Sequence, residues 1–227
     1  AFYAIKPLTN SAGLYTHAVY GFTMSLQKYL EAYKPDYAVV AFDMAAPTFR
    51  HELYEAYKAT RKGMPDELAV QLPYAKKVAQ ALGFTLCELP GWEADDILGT
   101  LATESARDPE LLTYLATGDR DAMQLITENV RVLYAKTRET VEYDRERFIA
   151  DYGMPPEHYA DAKALMGDTS DNIPGIKGVG EKTATKLIAA YGTLENLYSK
   201  LPVPEVSASI NERLAAGREQ AFLSRRL

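Results

Sequence analysis

Carboxylates recur at the ends of strand-like apolar segments in this chain, and this repetition most constrains its fold. The densest group, Glu93, Asp95 and Asp96, lies between the apolar residues 84–89 and a second apolar run typical of a helix. Acidic side chains are favoured at a helix N-terminus, but three crowded carboxylates repel one another unless a cation is present. The segment alone is compatible with an acidic first helical turn, whereas its repetition along the chain favours a site.

The order of apolar patterns predicts an α/β fold. Strand-like runs at residues 37–42, 84–89 and 111–117 alternate with helix-like spacing at 14–33 and 64–82, which favours a largely parallel sheet with right-handed crossovers. Two further short strands are predicted at 130–134 and 140–143. After residue 145 the pattern becomes helical, with predicted helices at 155–166, 181–191, 194–198 and 210–223.

Composition narrows the class of protein. The 227 residues contain no apolar run near the roughly 18 residues that would indicate a membrane span. The single cysteine, Cys87, cannot form an intrachain disulfide, and the three histidines have no zinc-site spacing, so we expect a cytoplasmic protein. The chain begins with Ala1 rather than methionine, which we interpret as the start of a fragment or a processed product.

The net charge of −6 argues against a simple nucleic-acid binder, but the acidity is concentrated. If eight acids are set aside as candidate metal ligands, 31 − 8 = 23 acidic residues remain, slightly fewer than the 25 lysines and arginines. These eight candidates fall into four groups along the chain: Asp43; Glu93, Asp95 and Asp96; Asp119 and Asp121; Asp168 and Asp171.

These carboxylates predict a metal centre. The first three groups follow predicted strands, and the carboxyl ends of parallel strands meet at one sheet edge. Carboxylates without histidine or cysteine suit Mg²⁺ or Mn²⁺, and eight acids are enough for two ions about 4 Å apart. A calcium loop starting at Asp119 is excluded, because Met123 and Gln124 stand where that loop needs Asp or Asn and then Gly.

Glycines alternate with apolar residues in residues 175–180, directly before a predicted helix. Glycines allow close backbone approach, and the N–H groups of a helix start can hold a phosphate. This pattern is typical of a helix–hairpin–helix clamp on a DNA backbone, although a glycine-rich loop without such a role remains the alternative. The candidate DNA-binding residues here are Lys177, Gly178, Gly180, Lys182 and Lys186.

Basic and aromatic residues are interleaved in residues 49–62. Arginine and lysine can neutralise phosphates, and aromatic rings can stack on unpaired bases. Taken alone, the segment is more typical of a solvated surface helix than of a DNA contact. Beside an acidic metal site it becomes a candidate DNA contact, with Arg50, Tyr57, Lys58 and Arg61 as the residues concerned.

Several short motifs together resemble the 5′-nuclease domains of the flap-endonuclease superfamily, which stand at the N-terminus of bacterial DNA polymerase I. The resemblance spans most of the chain in family order. It is carried by Phe42-Asp43, Phe49-Arg50-His51-Glu52, Tyr57-Lys58, Gly91-Trp92-Glu93-Ala94-Asp95-Asp96, Thr117-Gly118-Asp119-Arg120-Asp121 and residues 165–180.

The resemblance implies a fold and a division of the chain. It implies a resolvase-like (PIN-like) α/β core with a mainly parallel sheet flanked by helices, a helical arch and a C-terminal helix–hairpin–helix (helix–three-turn–helix) subdomain. We therefore expect a catalytic core over residues 1–166, with the arch at 49–82, and a DNA-binding subdomain over 167–227.

The resemblance also implies an activity: divalent-metal-dependent 5′-3′ exonuclease and flap-endonuclease cleavage of DNA phosphodiesters, in primer removal and repair. Asp43, Glu93, Asp95 and Asp96 match one metal cluster, and Asp119, Asp121, Asp168 and Asp171 match the other. Lys58 and Arg61 match arch residues that steer the scissile phosphate, and K⁺ is expected at the hairpin near residues 178–180. The implied partners are 5′ flaps and nicked or gapped duplex DNA, with a downstream polymerase domain, in a monomeric protein at the bacterial nucleoid.

One departure leaves alternatives open. The family begins with a strand ending in Asp-Gly, and the sequence given starts after that point, so we expect one metal ligand to be missing. A catalytically silent, structure-specific DNA-binding fragment is therefore one alternative. Another is an aspartate-dependent hydrolase of small phosphates, which would have no use for the glycine-rich hairpin.

Overall fold

The structure is a computed structural model that describes residues 2–136 and 139–227. Contacts divide the chain into two compact units that are interleaved in sequence. The first unit comprises Ala1–Ala46 and Lys62–Ile97, and the second comprises Pro47–Arg61 and Leu98–Leu227. The segment predicted as the arch, 49–82, is therefore shared between the two units, and the predicted division at residue 166 stays a prediction.

The first unit contains a two-stranded parallel sheet and its helices. Strand β1 pairs with β2 so that Val40 lies opposite Leu86, which confirms the predicted parallel pairing. Val39 is 38% exposed, so β1 is less buried than its apolar sequence predicted. The elements of this unit are α1 His17–Tyr33, β1 Val39–Ala41, α3 Asp66–Ala69, α4 Leu72–Ala81 and β2 Thr85–Cys87, with a 3₁₀ helix at Phe2–Ala4.

A buried glutamine connects two helices of this unit. The predicted helix over 64–82 is interrupted at Val70 and Gln71, so that α3 and α4 are separate. The Oε1 atom of Gln71 accepts hydrogen bonds from the backbone N–H groups of Ala18 (2.8 Å) and Val19 (3.3 Å). Since the first N–H groups of a helix have no partner within it, Gln71 replaces a local cap at the start of α1.

The second unit contains a three-stranded sheet and most of the helices. Strands β3 and β4 are parallel, and β5 is antiparallel to β4. Its elements are α2 Phe49–Leu53, β3 Thr113–Thr117, β4 Val130–Ala135, β5 Thr140–Tyr143, α6 Arg145–Tyr152, α7 Tyr159–Met166, α8 Glu181–Tyr191, α9 Leu194–Ser199, α10 Ala208–Ala216 and α11 Arg218–Arg226, with 3₁₀ helices at Arg120–Leu125 and Pro156–His158. Helix α5, Ala94–Ser105, begins in the first unit and ends in the second.

The α/β class is confirmed, with two differences from the sequence prediction. The described residues form two small sheets rather than one, and β5 is antiparallel because the connection after β4 is too short for a crossover. The predicted helix 210–223 is two helices that meet at Gly217. A side chain there would collide with Ile176 and lie 3.1 Å from the carbonyl oxygen of Arg213.

The hydrophobic core described by the structure lies in the second unit. Phe148, Tyr159, Leu165, Leu187 and Leu197 are each at most 2% exposed and belong to one cluster. Helix α7 contributes several members of this core, so the loop that follows α7 starts from a rigid base. Among the described residues, no helix combines the length and apolarity that crossing a membrane requires.

Candidate metal centre and nucleic-acid interface

The first carboxylate group surrounds the start of α5. Asp43 follows β1, and its Oδ1 accepts a hydrogen bond from the backbone N–H of Ala94 at 2.7 Å. Asp96 turns back so that its Oδ2 accepts from the N–H of Glu93 at 2.9 Å. Two acids that are far apart in sequence are thus held at one helix N-terminus, as the strand–acid–helix pattern predicted. Glu93 precedes this helix, and Asp95 lies exposed in its first turn.

The second group begins at the end of β3. Thr117 is the last residue of this strand, and its Oγ1 accepts a hydrogen bond from the N–H of Asp119 at 3.0 Å. The Oδ1 of Asp119 in turn accepts from the N–H of Asp121 at 2.9 Å and caps the 3₁₀ helix Arg120–Leu125. Local hydrogen bonds therefore fix the two aspartates at the carboxyl end of a parallel strand.

The loop after α7 presents Asp168 and Asp171. Asp168 and Ile173 exchange backbone hydrogen bonds of 2.9 and 2.7 Å, which close a small hairpin. Gly167 and Gly175 meet at its base, since a Cβ on Gly175 would lie 2.6 Å from the nitrogen of Gly167. Within the hairpin, Oδ1 of Asp168 accepts from the N–H and the hydroxyl of Ser170 at 2.8 and 2.6 Å. The glycines are thus required by a close backbone approach.

Lys163 joins the two parts of the second group, a role that was not predicted from the sequence. Its Nζ lies 2.8 Å from Oδ1 of Asp121 and donates a hydrogen bond of 2.8 Å to Oδ2 of Asp168. The available signal was a lysine within the apolar helix α7, five residues before Asp168, but spacing alone does not reveal the contact with Asp121.

Asp171 contacts the segment predicted to steer the phosphate. Arg61 forms an ion pair with its Oδ1, and Nζ of Lys58 lies 3.9 Å from its Oδ2. The N–H of Lys58 donates to the carbonyl of Asp171 at 2.8 Å, and Nδ2 of Asn172 donates to the carbonyl of Ala56 at 2.7 Å. Within the second unit, both predicted catalytic cations therefore lie beside a predicted metal ligand.

The environment shifts the pKa values of these acids in opposite directions. Burial raises the pKa of Asp121, and the neighbouring ammonium of Lys163 opposes this shift while Asp119 and Asp168 add to it. Burial also acts to raise the pKa of Asp168, but the hydrogen bonds from Lys163 and Ser170 outweigh it and lower this pKa to about 2. Asp168 is therefore ionised at neutral pH.

The donor chemistry of the second group fits a divalent cation. Oδ1 of Asp121 and Oδ1 of Asp171 are buried and accept no hydrogen bond of good geometry, although each lies at ion-pair distance from a cation of the chain. Carboxylate oxygens are the ligands that Mg²⁺ and Mn²⁺ prefer. Across residues 2–136 and 139–227, however, no three acids, histidines or cysteines surround a common point suited to an ion.

Tyr57 and Arg50, both predicted to bind DNA, contact other residues of the chain. Tyr57 is 3% exposed, and its ring packs edge-on against His51 with Nζ of Lys58 5.0 Å from its centre. In this conformation its ring offers no free face to a base, contrary to the stacking role expected from the sequence. Arg50 lies over Phe49, at 4.5 Å from the ring centre, and its Nε donates to the carbonyl of Leu227.

The glycine-rich hairpin forms directly before α8, as predicted. Ile176 and Val179 are buried, whereas Lys177, Gly178 and Gly180 are exposed. Gly178 has a φ of +84°, which favours glycine, and Gly180 is the N-cap of α8. The buried residues thus anchor the hairpin, while Gly178 and Gly180 are exposed to solvent.

The two lysines of α8 line an open groove in the second unit. Lys182 and Lys186 are exposed, and Arg120 and Tyr152 also line this groove, which has a volume of about 630 Å³. Arg120 pairs with Glu181 at 3.6 Å. The groove therefore combines three cations with hydroxyl and carboxylate groups.

Comparison with known proteins defines the class of this chain. A family model described as 5′-3′ exonuclease, N-terminal resolvase-like domain, matches residues 1–153, and one described as 5′-3′ exonuclease, C-terminal SAM fold, matches residues 154–227. The chain belongs to the 5′-3′ exonuclease family, a family of nucleases. Membership of a nuclease family argues against the alternative of a hydrolase that acts on small phosphates alone.

Curated relatives agree with the family. DNA polymerase I of Caldicellulosiruptor bescii is 45% identical over 231 residues, which cover 100% of this chain and 27% of that protein. The thermostable DNA polymerase I of Thermus thermophilus is 45% identical over 226 residues, covering 100% of this chain and 26% of that protein. The chain thus spans about a quarter of the length of these relatives.

Solved structures agree in fold. T5 5′-exonuclease with bound divalent metal ions (zinc) superposes with a TM-score of 0.76 at 24% identity, covering 91% of this chain and 79% of that one. The catalytic core of Rad2 in complex with a DNA substrate gives a TM-score of 0.56 at 19% identity, covering 88% and 63%. At these identities the two comparisons establish the resolvase-like fold.

Proposed function

We propose that this chain is a divalent-metal-dependent, structure-specific 5′ nuclease that hydrolyses DNA at 5′ flaps, nicks and 5′ ends. One observation carries the proposal. Asp121 and Asp168, which are 47 positions apart in sequence, share the ammonium of Lys163, while Asp171 in the same hairpin meets Lys58 and Arg61. The predicted metal ligands and the cations predicted to steer a phosphate therefore occupy one region of the second unit.

The carboxylates have the role of metal ligands. Asp43, Glu93, Asp95 and Asp96 would hold one ion and Asp119, Asp121, Asp168 and Asp171 another, with Mg²⁺ as the ion and Mn²⁺ as a substitute. When bound, such ions lower the pKa of water and stabilise the developing charge on a phosphate oxygen. The two halves of each group come from separate segments of the chain, so the fold rather than local sequence sets their spacing.

The cations have the role of orienting the substrate. Lys58 has a φ of 54°, and its backbone is tied to Asp171, so its side chain starts from a fixed position. Lys58 and Arg61 now pair with Asp171 and would exchange that carboxylate for a backbone phosphate when DNA binds. This arrangement brings a negatively charged phosphate towards carboxylates that would otherwise repel it.

The hairpin and α8 have the role of holding duplex DNA through its backbone. Gly178 and Gly180 permit close approach of a phosphate, and Lys177, Lys182 and Lys186 neutralise neighbouring phosphates without reading the sequence. A K⁺ ion at the hairpin would add a further phosphate contact. Arg50 would add a further positive charge for the DNA backbone, and the buried ring of Tyr57 would position Lys58, whose Nζ lies 5.0 Å from the ring centre.

The relatives support a proposal about the wider setting. We propose that the chain acts with a polymerase domain in primer removal and repair, as a monomer at the bacterial nucleoid. Coverage of about a quarter of each DNA polymerase I relative supports this setting, since the remainder of those proteins lies beyond the matched region.

A cleavage assay tests the activity. A labelled 5′-flap duplex is incubated with protein in Mg²⁺, in Ca²⁺ and in EDTA. Cleavage should require Mg²⁺, and Asp168→Asn should lower kcat at least about 100-fold, because even outer-shell partners of metals contribute 10–100-fold. Asp108→Asn is the matched control, since Asp108 is an exposed aspartate that accepts one backbone hydrogen bond from Glu110 at 3.0 Å.

A catalytically silent DNA-binding module is the second candidate. It is favoured by the absence, among the described residues, of three acids around one point. This candidate predicts flap binding in Ca²⁺ or EDTA with no cleavage in Mg²⁺ or Mn²⁺. Equal cleavage by wild type and Asp168→Asn would instead reject the metal assignment.

A further inference from the structure

Lys163 occupies the position between two predicted metal ligands. Its side chain is 21% exposed, and its Nζ lies 2.8 Å from one carboxylate oxygen of Asp121 and 2.8 Å from one of Asp168. The residues around it on α7 are buried: Ala162 and Ala164 are each 1% exposed, and Leu165 is fully buried. The helix therefore holds the start of the lysine stem in one place.

The surrounding charges explain why this lysine is needed. The negative charges of Asp119 and Asp168 both act on the carboxylate of Asp121, and two of these three acids, Asp121 and Asp168, contact Lys163. Asp171 has its own cations, Arg61 and Lys58. Without a bound ion, the ammonium of Lys163 is the contact that offsets repulsion between Asp121 and Asp168.

The same position conflicts with a divalent ion. Mg²⁺ binds carboxylate oxygens at roughly 2.0–2.1 Å, so an ion bridging Asp121 and Asp168 needs the space in which the ammonium now lies. A positive charge left at that distance would also repel the ion strongly in a partly buried site. The ammonium and the ion therefore compete for the same carboxylates.

We propose that Lys163 is a positioning residue that replaces the divalent cation in the metal-free protein and is displaced when the second carboxylate group binds metal. The inference rests on the proposed function, because it takes Asp121 and Asp168 as metal ligands. Lys163 keeps these acids assembled, and its displacement weakens the apparent affinity for the ion. It acts through the two aspartates and does not itself contact the reacting phosphate.

A purely structural ion pair would behave differently. Its loss would lower stability by the same amount with and without metal, and would leave metal affinity unchanged. Competition instead predicts that removing the ammonium lowers stability in EDTA and increases the stabilisation gained from Mg²⁺, because stabilisation by a ligand grows as its dissociation constant falls. Metal-free and metal-bound melting temperatures therefore distinguish the two roles.

The experiment uses the full chain without DNA. Lys163→Met keeps the stem and removes the charge, Lys163→Arg keeps the charge, and Lys136→Met is the control, because Lys136 is exposed and pairs with one acid, Glu139, at 3.5 Å. Melting temperature is measured in EDTA and in saturating Mg²⁺, and the Mg²⁺ dissociation constant by calorimetry. The Lys163→Met variant should have a lower melting temperature than wild type in EDTA and a larger rise in melting temperature on adding Mg²⁺. Its Mg²⁺ dissociation constant at the site of Asp121 and Asp168 should fall about tenfold, the scale of one hydrogen bond to a charged group.

Opposite results overturn the proposal. If wild type cleaves flap DNA but Lys163→Met binds Mg²⁺ with an unchanged or lower affinity, the competition is refuted and the nuclease assignment remains intact. A wild-type protein that binds no divalent ion refutes both.

If Lys163→Met does not fold, NMR of the lysine side chains in the wild-type protein gives the answer. The Lys163 signal, assigned by its absence in Lys163→Arg, should shift on adding Mg²⁺. A signal unchanged at saturating Mg²⁺ refutes the displacement.

Discussion

Gly175 is the position at which a single methyl group should most disturb the candidate site. A Cβ added there would lie 2.6 Å from the nitrogen of Gly167 and closer still to the carbonyl group of Met166, all of them backbone atoms. Relieving this overlap requires the two segments to separate by about 1 Å, which a close-packed interior resists. The separation would act on the hydrogen bond from the N–H of Ile176 to Leu165, now 2.7 Å.

The expected cost follows from this geometry. Overpacking costs typically 1–3 kcal/mol, and the upper end of about 3 kcal/mol applies because no flexible side chain can yield. For a chain of this length, Gly175→Ala should then lower the melting temperature by about 6–12 °C. Because the same hairpin carries Asp168, cleavage of flap DNA should fall as well.

A second glycine of the same segment serves as the control for stability. A Cβ on Gly180 meets nothing within 4 Å, so Gly180→Ala should cost less than about 1 kcal/mol, the scale of a changed helix N-cap. Thermal unfolding followed by circular dichroism measures both variants. Equal melting temperatures for Gly175→Ala and Gly180→Ala would refute the close-approach argument.

Three further outcomes are expected. Gln71→Ala should destabilise the first unit by about 1–3 kcal/mol, because two N–H groups at the start of α1 lose a buried acceptor; urea unfolding that matches wild type would contradict this. Lys182→Gln should weaken duplex binding for all sequences and reduce the slope of log affinity against log salt by about 1, as measured by fluorescence anisotropy; an unchanged slope would exclude a phosphate contact. Arg225 donates a hydrogen bond to the carboxylate of Glu195 and lowers its pKa from 4.5 to about 2. The pair therefore stabilises the fold at pH values above 4.5, and this stabilisation is lost as the pH falls towards 2. Arg225→Met should raise this pKa towards 4.5, and a carboxyl NMR titration that still gives about 2 would disprove the assignment.

Much of the fold was predictable because its signals are local. Apolar runs located β3 and β4, and helical spacing with flanking glycines located α8 at its observed bounds, Glu181–Tyr191. The acids at strand ends were predictable for the same reason, since Asp43 directly follows one apolar segment and Asp119 follows another after a single glycine. Motif resemblance then supplied the family.

The remaining features depend on contacts between distant residues. The cap that Gln71 provides for α1 spans 53 positions, and the bond from Asn172 to Ala56 spans 116. Lys163 looked like an ordinary helix residue because its partner Asp121 lies in another element. Periodicity carries no information about such pairs, which explains why the cation beside the predicted metal ligands was missed.

If the separated carboxylates hold divalent ions, crystals soaked in Mn²⁺ should show those ions by anomalous scattering. We expect one peak within about 2.5 Å of oxygens from Asp121 and Asp168, with the ammonium of Lys163 moved away, and another beside Asp43 and Asp96. Peaks confined to other surfaces, or none at saturating Mn²⁺, would contradict the account.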